Sequence, residues 1–304
     1  MTAPRPRPGP DSRPLPRPAT LDWLTRCEEG RAWLASLPGR LDAASRRWSL
    51  RTGDPFTDGC ASYTVPATTA DGTPVVLKLQ YPDQEGAHEA EALSRWNGDG
   101  AVRLLAHDPD DWALLLERCD PGDPLWTADA DEALDVLTGL LPRLWIPADA
   151  PFDRLADEAA RWAGNLPALW EAAGRPFERR LLDAAVSALT DLGPGQGEQV
   201  LLHQDLHSGN VLRARREPWL VIDPKPLVGE REFGVVAAVR GSSLGRGDAA
   251  LRYRLDRLTA ELGLDRERVL GWALGQTLAW GFENGAVLPG QVEIARWVLA
   301  AGRG

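Results

Sequence analysis

The spacing of apolar residues changes once along this chain, and that change limits the folds open to it. Between Ser49 and Asp120 they fall in short runs, one ending near Tyr63 to Val65, the others at Val75 to Leu79, Val102 to Leu105 and Ala113 to Leu116. Runs of this length read as strands, and Asp71-Gly72 stands where a tight hairpin turn would join two of them. One helix interrupts the series: EGAHEAEALSRW carries Ala90, Leu93 and Trp96 close to a single face. Past Gly122 the spacing is helical, through Leu134, Leu137, Leu141 and Leu144, then Leu155 to Trp170 and Phe177 to Leu192. Pro142 should kink the first of these helices. A glycine-rich break at 193–197 precedes two more strand-like runs, Gln199 to His203 and Trp219 to Ile222, and helices resume near Ala249. A strand-rich first part is therefore followed by a larger, mainly helical one.

Three segments follow from this pattern. Residues 1–20, dense in proline and arginine, supply little to bury and are expected to be a disordered tail. Residues 21–119 form the first lobe, opened by a helical preface from Leu21 to Trp48 that Pro38-Gly39 should break or restart. Residues 120–304 form the second lobe.

Bulk properties exclude several classes of function. The net charge of −10 argues against a nucleic-acid partner, because a phosphate backbone repels an acidic surface. An acidic protein suits a cationic small substrate, although solubility explains the same charge. No apolar run approaches the roughly 18 residues needed to span a bilayer, and MTAPRPRPGPDSRPLPRP lacks the apolar stretch of a secretory signal. Cys27, Cys60 and Cys119 form no CxxC pair. A cytoplasmic, reducing location is expected, with no membrane association and no obligate protein partner.

Of 34 basic residues only Lys78 and Lys225 are lysines. Against such an arginine bias, a retained lysine marks places where a compact ammonium is wanted rather than a planar guanidinium. Lys78 follows Val75-Val76-Leu77 in an apolar strand, where a charge is costly unless paired or bound to phosphate, and Glu89 at the start of the predicted helix is its natural partner, with Glu91 as the fallback.

The strongest local signal is LLHQDLHSGNVL followed by PWLVIDPKP, each an apolar run that delivers a carboxylate to its end. Asp205 and Asn210 stand on a loop that Ser208-Gly209 lets curl back, so that a carboxylate suited to a hydroxyl proton and a carboxamide suited to Mg2+ can converge. Asp223 supplies a second magnesium ligand, and the following Pro224 should bias it toward an extended backbone. His203, Asp205 and His207 also alternate as a zinc set would, but further His or Cys ligands are not close in sequence. No GxxxxGK and no GxGxxG occurs, which excludes a P-loop.

Strand lysine, helix glutamate, HxDxxxxN loop and strand-end aspartate, in that order, resemble the protein-kinase-like signature. With EEGRAWLASLP, DGTPVVLKLQ, RWNGDGAVRLLAHD, ALLLER, HQDLHSGNVL and WLVIDPKPLVGE, the chain from about Gly30 onward resembles the aminoglycoside phosphotransferases, and most of all their streptomycin 6-kinase and hydroxyurea-resistance branch. That resemblance implies an α+β, two-lobe fold, with a small, mostly antiparallel sheet and one key helix in the first lobe and a mainly helical second lobe. It implies transfer of phosphate from ATP or GTP, with Mg2+, to a hydroxyl of a small polar compound such as streptomycin. Asp205 would be the general base, Asn210 and Asp223 the metal ligands, and Lys78 the phosphate ligand held by Glu89. Gly59 and Ser62 would belong to the nucleotide loop, and Glu117 and Cys119 to the stretch whose backbone pairs with the base.

Gln204 replaces the arginine of protein kinases and no APE segment follows Asp223, which disfavours a protein substrate. Gly234 stands where aminoglycoside kinases often have an aspartate. Trp280, Glu283 and Asn284 are candidate acceptor contacts, and Lys225 a candidate for neutralising phosphate. The alternatives are a kinase for hydroxyurea or another small metabolite, and a degenerate, nucleotide-binding regulatory protein.

Overall fold

The computed structural model describes residues 15–57, 61–283 and 285–302. Gly59, Asn284 and most of the expected tail lie outside them. The chain divides into two compact units: one runs to Asp83 and resumes over Leu104–Arg118, and the other takes Gln84–Arg103 and everything from Cys119 on.

The first unit opens on a 3-10 helix, Ala19–Arg26, whose Leu21 and Leu24 are fully buried. Tyr63 Oη donates to Pro16 O, and Thr20 Oγ1 to Thr57 O, so the end of the segment expected to be disordered is anchored. Helix α1, Glu28–Arg47, follows, with Cys27 Sγ accepting from Gly30 N at its start. A side chain at Gly30 would place its Cβ 2.2 Å from Leu24 O, so only glycine lets the 3-10 helix fold back this tightly. The expected break at Pro38 does not occur. Pro38 is exposed, while Trp33, Leu37 and Ala44 bury along the opposite face on both sides of it, and that packing holds one continuous helix.

Five strands, β1 (Arg51–Thr52), β2 (Ser62–Thr68), β3 (Pro74–Gln80), β4 (Leu104–Asp108) and β5 (Ala113–Glu117), form a sheet in the order β1-β2-β3-β5-β4. Its pairs are all antiparallel. Tyr63, Val65 and Ala67 pair with Leu79, Leu77 and Val75, so one face of the β2-β3 hairpin is apolar throughout. Tyr63, Val65, Leu77 and Leu79 share a core with Trp33 and Leu37 of α1, and Trp33 Nε1 donates to Gln80 O. The turn expected at Asp71-Gly72 is present, with Gly72 at φ +91 and the Asp71 carboxylate accepting from Thr73 N.

The second unit begins with α2 (Glu89–Trp96), which the sequence reading assigned to the first lobe. The reason for the correction is visible in its bonds. Trp96 Nε1 donates to Leu144 O, Arg95 donates to Ala150 O, and Val102 N just beyond it donates to Val221 O.

The unit continues through α3 (Ala130–Leu144), β6 (Asp153–Arg154), α4 (Leu155–Ala172), α5 (Arg179–Leu192), β7 (Val200–Leu202), β8 (Val211–Arg213), β9 (Trp219–Val221) and β10 (Leu227–Gly229). After these come α6 (Arg231–Gly234), α7 (Val236–Arg240), α8 (Asp248–Leu262), α9 (Arg266–Ala279), the hairpin β11 (Phe282–Glu283) and β12 (Ala286–Val287), and α10 (Pro289–Ala301). Helix α9 is buried almost all round from Val269 to Leu278, the mark of a central helix. Gly275 brings it against α5, where an added Cβ would lie 2.5 Å from Leu189. Among the described residues no helix is long and apolar enough to cross a membrane.

Candidate functional site

Two short supports in the second unit carry Asp205, Asn210 and Asp223. Strand β7 pairs with β10, itself flanked by β6, and ends at Leu202 immediately before His203. Strands β8 and β9 form a separate hairpin in which Val211 opposes Val221, so that Asn210 and Ile222 meet at its open end, with Ile222 N donating to Asn210 O at 2.9 Å. Asp223 therefore begins where Asn210 ends.

His203 joins the two supports. Its Nε2 lies 2.9 Å from Ile222 O and so carries the proton, and its own carbonyl accepts from both Asp205 N (2.8 Å) and Lys225 N (3.1 Å). Burial pushes its pKa down to about 4, so the ring is neutral at neutral pH. Trp96 stacks on it at 6.3 Å. The alternative zinc set does not assemble: no group of three or more His, Cys, Asp or Glu among the described residues is arranged to hold a metal.

The loop from 204 to 210 is tightly specified. Gln204, buried, sits at φ +64, a conformation that costs an ordinary residue about 1 kcal/mol or more and persists only where its surroundings impose it. Here the two bonds to His203 O impose it. His207 N donates to Asp205 O, Asn210 N to His207 O, and Asn210 Nδ2 to Asp205 O at 2.9 Å. Gly209 is required for space, since a Cβ there would come within 2.5 Å of the Trp126 ring and 2.9 Å of His207 Nδ1.

Asp223 does not take the extended backbone expected before Pro224; its φ is +57. The ties of Ile222 on one side and Lys225 on the other outweigh the proline's preference, and aspartate tolerates this region better than most residues. Its carboxylate is exposed. The Asn210 amide nitrogen is already used, so Oδ1 is the atom it has left to offer, and with Asp223 this makes a pair of hard oxygen donors of the kind Mg2+ takes.

Asp205, with an 18 % exposed side chain, lies between two partners: Arg240 Nη2 is 3.5 Å from Oδ1 and His207 Nε2 is 3.9 Å from Oδ2. Burial lowers the His207 pKa, so His207 adds no cation at neutral pH, whereas Arg240 does. Lys225 pairs with Glu85 at 2.8 Å. Burial pulls the Lys225 ammonium down, but Glu85, Asp205 and Asp223 outweigh it and the net shift is upward. The indole of Trp280 receives both cations, Lys225 Nζ at 5.0 Å and Arg240 at 4.9 Å from its centroid. Trp280 and Glu85 also line a cavity of about 390 Å³ with Arg161, Trp162, Asn165 and Phe282.

Asp205, Asn210, Asp223, Lys225 and Trp280 are thus gathered in one unit. Glu283 is exposed on β11, the end of the hairpin that follows Trp280. Glu89, the first residue of α2, is buried. Lys78 belongs to the first unit, where it is buried in the middle of β3 between Thr64 and Leu114. Ser62 opens β2 with its hydroxyl 3.1 Å from Thr64 Oγ1, Glu117 closes β5, and Cys119 is half-buried just beyond it. Sequence reasoning missed Arg240 and Glu85. Among so many arginines Arg240 had no contrast, and Glu85 was read only as the start of a helical segment.

Comparison with known proteins completes the assignment. A choline kinase from Streptococcus pneumoniae superposes with a TM-score of 0.61 at 12% sequence identity, covering 85% of this chain and 98% of that one. Such neighbours are phosphotransferases of the protein-kinase-like fold, and this chain has that fold. Residues 47–288 match the sequence family described as aminoglycoside/hydroxyurea antibiotic resistance kinase, and the chain belongs to that family. It is 41% identical over 281 residues to a streptomycin 6-kinase of Streptomyces glaucescens, spanning 88% of this chain and 91% of that protein. It is 42% identical over 282 residues to a hydroxyurea phosphotransferase of Kitasatospora aureofaciens, spanning 90% and 82%. The chain is accordingly a small-molecule kinase, and a regulatory protein without activity is not favoured.

Proposed function

We propose that this kinase transfers the γ-phosphoryl of ATP to a hydroxyl of a streptomycin-type aminocyclitol. The observation that carries the reading is the convergence of Asp205, Asn210 and Asp223 on the open end of the β8-β9 hairpin. Asp205 accepts the hydroxyl proton as the oxygen attacks phosphorus. Its carboxylate is partly exposed and holds no hydrogen bond from Arg240 at 3.5 Å, so it keeps acceptor capacity for that proton. Asn210 and Asp223 would hold Mg2+, which when bound offsets charge on the phosphates. Lys78 is assigned to the phosphates as well, an ammonium kept inside an apolar strand. In a reaction of this class positioning and electrostatics supply most of the rate.

The cavity beside Trp280 favours streptomycin over hydroxyurea as acceptor. At about 390 Å³ it falls in the range of roughly 300–1,000 Å³ that takes drug-sized ligands, and a molecule as small as hydroxyurea leaves most of it empty. A radiolabelled-ATP panel of streptomycin, other aminoglycosides and hydroxyurea tests this. Label is expected in streptomycin, and label in hydroxyurea alone would reverse the choice of acceptor.

A further inference from the structure

We propose that Arg240 is the positioning residue of Asp205: its guanidinium, seated on Trp280, fixes the direction in which that carboxylate faces the acceptor hydroxyl. The inference rests on the reading of Asp205 as the base. Arg240 is the last residue of α7, its side chain is only 12 % exposed, and its one ion pair among the described residues is with Asp205 at 3.5 Å. Burial lowers its pKa and Asp205 opposes that shift. A guanidinium held this far from water is costly, its Nε has no hydrogen-bond partner among the described residues, and Asp205 with the Trp280 face, 4.9 Å away, supplies the compensation it has.

The segment carrying Arg240 is held by a second buried arginine that has no carboxylate partner among the described residues. Arg254 of α8, 3 % exposed, donates instead to main-chain carbonyls: Nε and Nη2 to Val239 O (3.1 and 3.0 Å), and Nη1 to Leu244 O (3.1 Å) and Gly245 O (2.9 Å). Between those carbonyls Ser243 Oγ lies 2.6 Å from Ser208 Oγ, which docks the segment on the loop that bears Asp205. Arg254 thus fixes the backbone at both ends of residues 239–245, the serine pair fixes it to the catalytic loop, and Trp280 orients the guanidinium. Three separate constraints converge on one side chain, and its partner is the base. Across 3.5 Å the charge attraction draws the carboxylate toward Arg240, and the absence of a hydrogen bond leaves its oxygen open.

A double-mutant cycle on the full chain, with streptomycin as acceptor, decides the point. Arg240→Ala is expected to lower kcat about a hundredfold with KM for ATP little changed, the size of loss expected from misplacing a catalytic group by an ångström. In an Asp205→Asn background the same change should cost nothing further, because its effect passes through the carboxylate. Added guanidinium should restore part of the Arg240→Ala turnover, and Arg240→Lys, which keeps the charge without the planar fork, should show a smaller loss. Losses that multiply in the double variant, or a raised KM for ATP with kcat intact, would overturn the proposal. Wild-type turnover in Asp205→Asn alone would instead remove the base, and the proposal with it. Circular dichroism and melting curves identify any variant that has not folded, and Arg240→Lys then carries the test.

Discussion

In the second unit Glu230 and Asp205 each pair with an arginine that has a tryptophan close by, and they are built to opposite ends. Glu230, 2 % exposed, accepts from Arg268 through four contacts of 2.7–3.1 Å, from Gly197 N at 3.1 Å and from Trp272 Nε1. Asp205, 18 % exposed, has Arg240 at 3.5 Å and Trp280 only through that arginine. Both oxygens of the first are occupied by donors, whereas the second keeps its acceptor capacity. The same residue types make a structural tie when the carboxylate is saturated and leave a proton acceptor open when it is not, which is what the proposed role of Asp205 requires.

Replacing each acid separates the two roles. Asp205→Ala should lower turnover by about a hundred- to ten-thousandfold while leaving the unfolding transition near its wild-type position, read by initial rates and urea denaturation. Glu230→Ala should do the reverse. Stranding the buried Trp272 Nε1 and leaving the half-buried Arg268 without its carboxylate should cost about 1–3 kcal/mol of stability, with activity falling only as the folded fraction falls. If Glu230→Ala were fully stable yet inactive, the contrast would be broken.

Acid sharpens the comparison further, since His203, which joins the 204–210 loop to the β8-β9 hairpin, is buried, and protonation would place a charge where water cannot reach it. Its folded pKa of about 4 lies below the ordinary histidine value near 6.5. Between those values the unfolded chain binds the proton and the folded chain does not. This contribution to stability is therefore whole above pH 6.5 and lost as pH falls toward 4, with about 2 kcal/mol gone by pH 5. Urea melts at pH 7 and pH 5 should show the loss in wild type, and a smaller one in His203→Gln.

The smallest effect is expected at Lys225. Its pair with Glu85 is partly exposed, at 30 % and 41 %, so Lys225→Met should change stability by less than about 1 kcal/mol. A fall in turnover or ATP affinity without loss of stability would support its part in neutralising phosphate, and unchanged kinetics would remove that part.

Much of this arrangement was legible before folding. The run around Tyr63 became β2 because a strand buried on one face alternates its apolar residues, and the unbroken apolar runs at Val75 and Ala113 became β3 and β5, the latter buried on both faces. The HQDLHSGN loop could be read because its chemistry and its turn residues lie within one stretch of chain. What resisted reading depends on distant partners. Pro38 stays within a helix because of a core formed with β2 and β3, and Asp223 takes φ +57 because His203 and Asn210 bind on either side of it. The three-residue strands β8 and β10 carry too few residues for a period to show, and α2 joined the second unit through bonds to residues some fifty positions away.

The chain alone determined which groups are available for chemistry: a lysine in an apolar strand, a carboxylate and a carboxamide on one tight loop, and an acid at a strand end. Tertiary structure decided how each is held. Arg240 meets Asp205, Glu85 meets Lys225 and Arg268 meets Glu230 only after segments far apart in sequence are packed, and local spacing carries no record of such pairs. Short-range order follows from neighbours along the backbone, while the electrostatic surroundings of a reactive group are set by whatever folding brings beside it.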